Sequence, residues 1–106
     1  MKTAVIHLDV KPEKISEFKK QWSMVSEEAK KEKGLLNAFL LVNPQNGRSL
    51  SIGLWENEAD AKAFSSKPVY QKFVTDIKDY LVKPPVREYY DMIGELPEEF
   101  SKRKIA

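Results

Sequence analysis

The stretch from residue 35 to residue 55 constrains the fold more than any other part of the chain. Two apolar runs, LLNAFLLVN at 35–43 and RSLSIGLW at 48–55, are separated by PQNG at 44–47. An Asn-Gly pair between two alternating apolar runs is the strongest short signal for a β-hairpin. The sequence therefore predicts an antiparallel pair of strands around which the other elements are arranged.

A strand and a helix are predicted before the hairpin. TAVIHLDV at 3–10 alternates with a period of two, which is typical of a strand with one buried face. From residue 15 to residue 29, apolar side chains recur every three or four positions, which indicates an amphipathic helix. We expect this helix to end near Lys33, with Gly34 as its C-terminal cap.

A broken helical segment and a last strand are predicted after the hairpin. Asn57 is suited to cap one short helix and Pro68 to start another, which Pro84 and Pro85 end. VREYYDMIG at 86–94 is rich in residues that favour strands. The predicted order is β-α-β-β-α-β, an α+β, ferredoxin-like fold with a four-stranded antiparallel sheet and helices on one face. We expect residues 1–96 to form this single domain and residues 97–106 to be a charged tail.

The face of the sheet that the helices leave uncovered is predicted to be apolar. Strand 35–43 has aliphatic side chains on both faces, and simple alternation groups Leu35 with Phe39 and Leu41. An uncovered face of an antiparallel sheet is normally polar, and an apolar one favours association. The sequence therefore predicts a homodimer whose sheets pack face to face as a dimeric α+β barrel. A monomer with a few exposed leucines is the alternative.

Composition excludes several classes of function. The 18 Lys and Arg residues against 16 Asp and Glu residues leave a net charge of +2, which is too balanced to favour nucleic acid. The chain has no cysteine, which excludes disulfides, and its one histidine, His7, excludes a multi-histidine metal site. No membrane span or signal peptide is recognisable. We expect a cytoplasmic protein that binds no metal, membrane or nucleic acid.

A pocket is predicted on the helix side of strand 48–55. Ser49, Ser51, Gly53 and Trp55 share one face of this strand, and small residues beneath helices leave space beside the tryptophan. Apolar space with one or two polar groups is what a small-molecule site requires. On residue types alone, however, an ordinary core is the favoured interpretation, in which Gly53 allows close helix approach and Trp55 is buried.

The chain resembles the antibiotic biosynthesis monooxygenase-like (ABM) domains of the dimeric α+β barrel superfamily. The resemblance covers residues 3–95 and depends on GLLNAFLL at 34–41, LWENEADAKAF at 54–64 and YLVKPPVREYYDMI at 80–93. It implies a homodimer with a pocket between sheet and helices in each subunit. Members include cofactor-free oxygenases of polycyclic phenols, haem-degrading monooxygenases and isomerases of small signalling sugars.

Two of these activities are not supported by the residues that the resemblance aligns. Haem-degrading members have an asparagine, a tryptophan and a histidine where this chain has Ile6, Phe64 and Val74. None of these three side chains can ligate or orient haem, which excludes that activity. The isomerase-like members depend on a histidine in the helical region, and the helical region of this chain has none.

The polycyclic oxygenases are matched at one position. They surround the substrate with an asparagine, a tryptophan, a tyrosine and an arginine, where this chain has Ser51, Trp55, Ala61 and either Val74 or Thr75. Only the tryptophan is retained. The resemblance therefore implies a pocket without implying a catalytic set.

We predict Trp55 as the main substrate-binding residue, as an apolar wall and an indole N–H donor. The other candidates for substrate binding are Ser51, Phe64, Val74 and Ile6. His7 is the natural general base, but it alternates with Ile6 and is expected to face the partner sheet. The predicted function is a cofactor-independent, monooxygenase-like protein that acts on a small planar quinol or phenol. A non-catalytic dimeric module that binds a small molecule is the alternative.

Overall fold

The computed structural model describes residues 1–94 and has the predicted β-α-β-β-α-β order. The strands are β1 (Lys2–Asp9), β2 (Leu35–Val42), β3 (Arg48–Trp55) and β4 (Val86–Asp91), and the helices are α1 (Ile15–Ala29), α2 (Glu58–Ser65) and α3 (Pro68–Ile77). The four strands form one sheet in the order β2-β3-β1-β4, in which every neighbouring pair is antiparallel. This arrangement confirms the ferredoxin-like fold. The predicted tail at 97–106 lies outside the described residues.

Local signals at the chain reversals behave as predicted. Asn57 caps α2 by accepting a hydrogen bond from the backbone N–H of Asp60 at 2.9 Å, and Pro68 occupies the first turn of α3. The hairpin forms between β2 and β3, and Gly47 has the positive φ (78°) that its turn requires. A Cβ at position 47 would also collide with the backbone oxygen of Val10. Glycine is therefore required at this position both for its φ and for the close approach of the backbone.

Helix α1 ends four residues before the predicted end. After Ala29 the backbone N–H groups of Lys31 and Glu32 bond to carbonyls three residues earlier, so the helix tightens into turns. Ala29 is also the last buried residue of the apolar stripe, and no packing against the sheet holds a further helical turn. Gly34, with a φ of 91°, completes the reversal into β2.

A bulge at the start of β2 corrects one predicted side-chain orientation. Leu35 lies opposite Trp55, whereas Asn37 lies opposite Leu54, so one extra residue is inserted between them. A single inserted residue moves every side chain before it to the other face. Leu35 therefore packs on the helix side, and the prediction that it shares a face with Phe39 and Leu41 was wrong.

The core lies between the helices and one face of the sheet. The least exposed side chains are Val10, Phe18 and Ile77, each at 1% or less. No helix of the described residues is long and apolar enough to cross a membrane.

The other face of the sheet, called the open face below, has no helix against it. It contains the side chains that alternate with the core positions of each strand. Several of these are large and apolar, and their exposed fractions are 41% for Phe39, 51% for Leu41, 53% for Val86 and 47% for Tyr90. The predicted apolar character of this face is confirmed.

Candidate functional site

A small cavity of about 80 Å³ lies between the sheet and the helices. Its floor follows from the strand register, because Ala38, Gly53 and Ala4 stand opposite one another on β2, β3 and β1. Three small residues in a row across the sheet, one of them without a side chain, leave space that the helices above do not fill. Four of the predicted site residues line the cavity, and Val74 does not: the four are Ile6, Ser51, Trp55 and Phe64.

Trp55 is both a core residue and a wall of the cavity. Only 4% of its surface is exposed, and its ring lies 6.1 Å from the ring of Phe64. The indole folds back over its own strand, since a Cβ on Gly53 would lie 2.9 Å from the indole nitrogen of Trp55. The pocket and core interpretations of Trp55 are therefore compatible, and Gly53 is the residue that allows both.

Ser51 is bound to a helix across the cavity. Its Oγ accepts a hydrogen bond from the indole N–H of Trp22 at 2.9 Å, which joins α1 to β3. Trp22 was not among the predicted site residues, although it lines the cavity together with Trp55. The chain has two tryptophans, and both are therefore at this site.

Arg87 and Tyr70 form the polar end of the cavity, and Tyr89 is a hydrogen-bond partner of Arg87. Arg87 lies opposite Ile6 on the helix side of β4, and its guanidinium lies 4.8 Å from the centre of the Tyr70 ring on α3. The guanidinium donates to the phenol oxygen of Tyr70 and, at 3.5 Å, to that of Tyr89. Arg87 and Tyr70 are the only titratable side chains among the described residues that line this cavity.

His7 lies on the open face, on the side predicted from its alternation with Ile6. Its Nε2 is 2.7 Å from a carboxylate oxygen of Glu88 on β4. The same carboxylate oxygen accepts a hydrogen bond from the Tyr90 phenol at 2.9 Å, which raises the pKa of Tyr90. Tyr89 and Tyr90 are thus on opposite faces, and only Tyr89 reaches the helix side.

Two wider spaces adjoin these features. A groove of about 420 Å³ between α1 and β2 shares four lining residues with the small cavity, which are Trp22, Ser26, Leu35 and Ala38. A broad concavity of about 700 Å³ lies on the open face beside His7, Leu41, Leu50 and Val86. Within residues 1–94, no group of three His, Cys, Asp or Glu side chains is placed to hold a metal ion.

The fold and the pocket are those of a small α+β domain with a cavity beneath its helices. Residues 1–76 match the family model of the antibiotic biosynthesis monooxygenases, and the chain belongs to this family. No curated protein matches the sequence.

Solved structures with the same fold include two named as oxygenases. A Nitrosomonas europaea protein whose name places it among the antibiotic biosynthesis monooxygenases has a TM-score of 0.80 and 20% identity, over 89% of this chain and 100% of its own. A variant of SnoaB, a cofactor-independent oxygenase from Streptomyces nogalater, has a TM-score of 0.78 and 16% identity, over 92% and 97%. A conserved protein from Methanosarcina mazei has a TM-score of 0.75 and 22% identity, over 84% and 89%. At these identities the likeness shows the fold alone.

Proposed function

We propose that this protein is a cofactor-independent monooxygenase that acts on a small planar quinol or phenol in the cavity beneath its helices. The observation that carries the proposal is the pair of tryptophans, Trp22 and Trp55, at one largely apolar cavity. Their indole rings suit the faces and edges of a planar aromatic ligand. Family membership supports the reaction class, as does the name of SnoaB, a cofactor-independent oxygenase with the same fold.

The proposed reaction needs no cofactor because the substrate supplies the electrons. A phenol and dioxygen give a quinone and water, so that one oxygen atom enters the product and the other leaves as water. Loss of the phenol proton makes the ring electron-rich enough to react with dioxygen directly. The protein then contributes a dry site and a fixed orientation of the ring.

The cavity must widen to admit such a substrate. A volume of about 80 Å³ holds two or three water molecules at about 30 Å³ each, whereas benzene occupies a cavity of about 150 Å³. Trp22 and Leu35 line both the cavity and the adjoining groove of about 420 Å³. We propose that rotation of the half-buried Trp22 joins the two spaces, which requires its hydrogen bond to Ser51 to break.

The proposal includes a second copy of the chain on the open face. Leu41, Val86 and Phe39 are each more than two-fifths exposed there, on strands that have no helix against this face. Leaving this apolar area in water is unfavourable, and an identical open face is a self-complementary cover for it. In such a dimer His7 and Glu88 lie between the sheets rather than in the small cavity.

A non-catalytic binding module is the second candidate. The observation that favours it is the absence of a proton acceptor in the cavity, which has no His, Asp, Glu or Lys among its described lining residues. Catalysis would then depend on a phenol that is already ionised when it binds. A binding module would be stabilised by the same planar ligands without consuming oxygen.

Oxygen consumption and thermal stabilisation, measured with one panel of quinols and phenols, distinguish these functions. The monooxygenase predicts oxygen uptake with at least one compound that also stabilises the protein. Trp55→Ala is expected to abolish both effects, and because removal of this buried indole costs about 3–5 kcal/mol, circular dichroism is used to check that the variant is folded. Stabilisation without oxygen uptake would contradict the enzyme and support the binding module. No stabilisation by any compound would contradict both.

A further inference from the structure

Arg87 is a half-buried charge whose partners are neutral. The described residues form eight ion pairs, all of them made by lysines, and one contact between His7 and Glu88, and none of these includes Arg87. Its hydrogen-bond partners are the phenol oxygens of Tyr70 and Tyr89. A partly desolvated cation that lines a cavity without a carboxylate is an unusual arrangement.

The guanidinium has donors to spare. It carries several N–H groups in a planar fork, and the two phenol oxygens accept from only two of them. The guanidinium carbon also lies over the Tyr70 ring of α3, 4.8 Å from the ring centre, where a cation–π interaction adds to the hydrogen bond. The charge is therefore held in place, next to the cavity, with hydrogen-bonding capacity left for a ligand.

We propose that the cavity takes an anionic ligand, a planar aromatic compound whose negatively charged oxygen is held by Arg87. The ligand oxygen is a carboxylate or a phenolate, since both accept hydrogen bonds from a guanidinium and neutralise its charge. Tyr70 and Tyr89 are positioning residues that orient the guanidinium. This inference rests on the proposed function of the cavity as a small-molecule site and narrows the substrate class.

The strand order sets the length of such a ligand. Ala38 on β2 and Arg87 on β4 line opposite ends of the cavity and are separated by β3 and β1. Three inter-strand spacings of about 4.8 Å separate β2 from β4 by roughly 14 Å. A ligand that enters beside Trp22 would reach Arg87 with its far end, and its ring system would lie against the tryptophans.

Arg87 also favours the phenolate, which is the ionised form of a phenol that the proposed reaction uses. A positive charge within hydrogen-bonding distance stabilises a phenolate relative to the neutral phenol, and this lowers the pKa of the bound phenol. No proton-accepting side chain in the cavity is then required, because the proton can leave to solvent before or during binding. Arg87 could therefore support the proposed reaction without a general base in the cavity.

The test uses 2-naphthoate and 2-naphthamide, two ligands of similar shape of which only the first is charged at neutral pH. Binding is followed by NMR through the two indole N–H signals, because both tryptophans line the cavity. We expect the wild-type protein to bind the carboxylate at least about tenfold more tightly than the amide, as one hydrogen bond to a charged group provides. Arg87→Gln is expected to remove this preference, so that the two ligands bind with affinities within about twofold of each other.

Arg48→Gln is the matched control, since it removes the same charge from the open face of β3. It is expected to keep the preference for the carboxylate. If Arg87→Gln does not fold, Arg87→Lys decides, because it keeps the charge and loses the planar fork; the preference is then expected to fall several-fold.

The outcomes separate this inference from the function on which it rests. Equal binding of the two ligands by the wild-type protein, or an undiminished preference in the Arg87 variants, would overturn the anionic ligand class and leave the pocket intact. If neither ligand moves the indole signals of the wild-type protein, the small-molecule site itself is contradicted, and the inference falls with it.

Discussion

Replacing Gly53 by alanine tests whether the cavity depends on the fold-back of Trp55. The new Cβ would lie 2.9 Å from the indole nitrogen of Trp55, closer than Cβ atoms approach other heavy atoms in proteins. The indole is 96% shielded from solvent and is packed against Phe64, so it cannot move aside freely. Gly53 does not have a positive φ, and the substitution therefore causes no backbone strain.

The size of the effect follows from two opposed contributions. Overpacking a well-packed core costs about 1–3 kcal/mol. The alanine also lowers the conformational entropy of the unfolded chain, which stabilises the folded protein by about 0.4–1 kcal/mol. We expect a net loss of about 1–2 kcal/mol in the free energy of unfolding, or roughly 5–15 °C in Tm for a domain of this size.

Thermal and urea unfolding of three variants measure this loss. Gly94→Ala is the matched control, because a Cβ there has no atom within 4 Å, and we expect it to change the free energy of unfolding by less than about 0.5 kcal/mol. In a Trp55→Phe background the obstructing nitrogen is gone, so adding Gly53→Ala should cost about 1 kcal/mol less than in the wild type. Strict additivity of the two substitutions, or a Gly53→Ala protein as stable as Gly94→Ala, would refute the close contact as the reason for this glycine.

Three further predictions concern other parts of the fold. Leu41→Glu places a charge on the open face and is expected to convert a sedimenting dimer into a folded monomer at tens of micromolar; an unchanged sedimentation coefficient would contradict the face-to-face dimer. Asn57→Ala removes the cap of α2 and should cost about 1 kcal/mol in urea unfolding, with an unchanged stability as the contrary result. Glu88→Ala should lower the pKa of Tyr90 toward its ordinary value in an NMR titration, and no change in that pKa would exclude the hydrogen bond as its cause. Because that pKa is raised in the folded state, the contribution of Tyr90 to stability is present below the unfolded pKa and lost as pH rises through the folded one.

The features predicted correctly from sequence are those set by neighbours in the chain. The hairpin follows from Asn46 and Gly47 between two alternating runs, and the start of α2 follows from Asn57, whose side chain bonds three residues ahead. The apolar open face follows from the alternation of Phe39 and Leu41 along β2, because a period of two gives the face of each following residue once one is known. Each of these inferences needs only a few consecutive residues.

The features that were missed depend on contacts between distant segments. The bulge between Leu35 and Asn37 has no marker residue of its own, and it is visible only when β2 is aligned with β3. The early end of α1 likewise depends on where the sheet stops offering a buried surface to the helix, not on the lysine-rich sequence that follows Ala29. In both places the sequence pattern continues unchanged, and the structure changes only because of contacts with a distant part of the chain.

The position of Arg87, the cation at the cavity, also depends on contacts between distant segments, and this position bears on the choice of ligand. Along β4 charged and aromatic residues occur on both faces, so alternation alone does not say whether Arg87 or Glu88 lies beneath the helices. The pairing of Arg87 with Ile6 decides it, and places Glu88 beside His7 on the open face. The family match ends at residue 76, before β4, whereas both tryptophans lie within it. The apolar walls of the site therefore come from the part of the chain that matches the family, and its one cation comes from outside that part, so the choice of ligand has to be argued from this chain's own last strand.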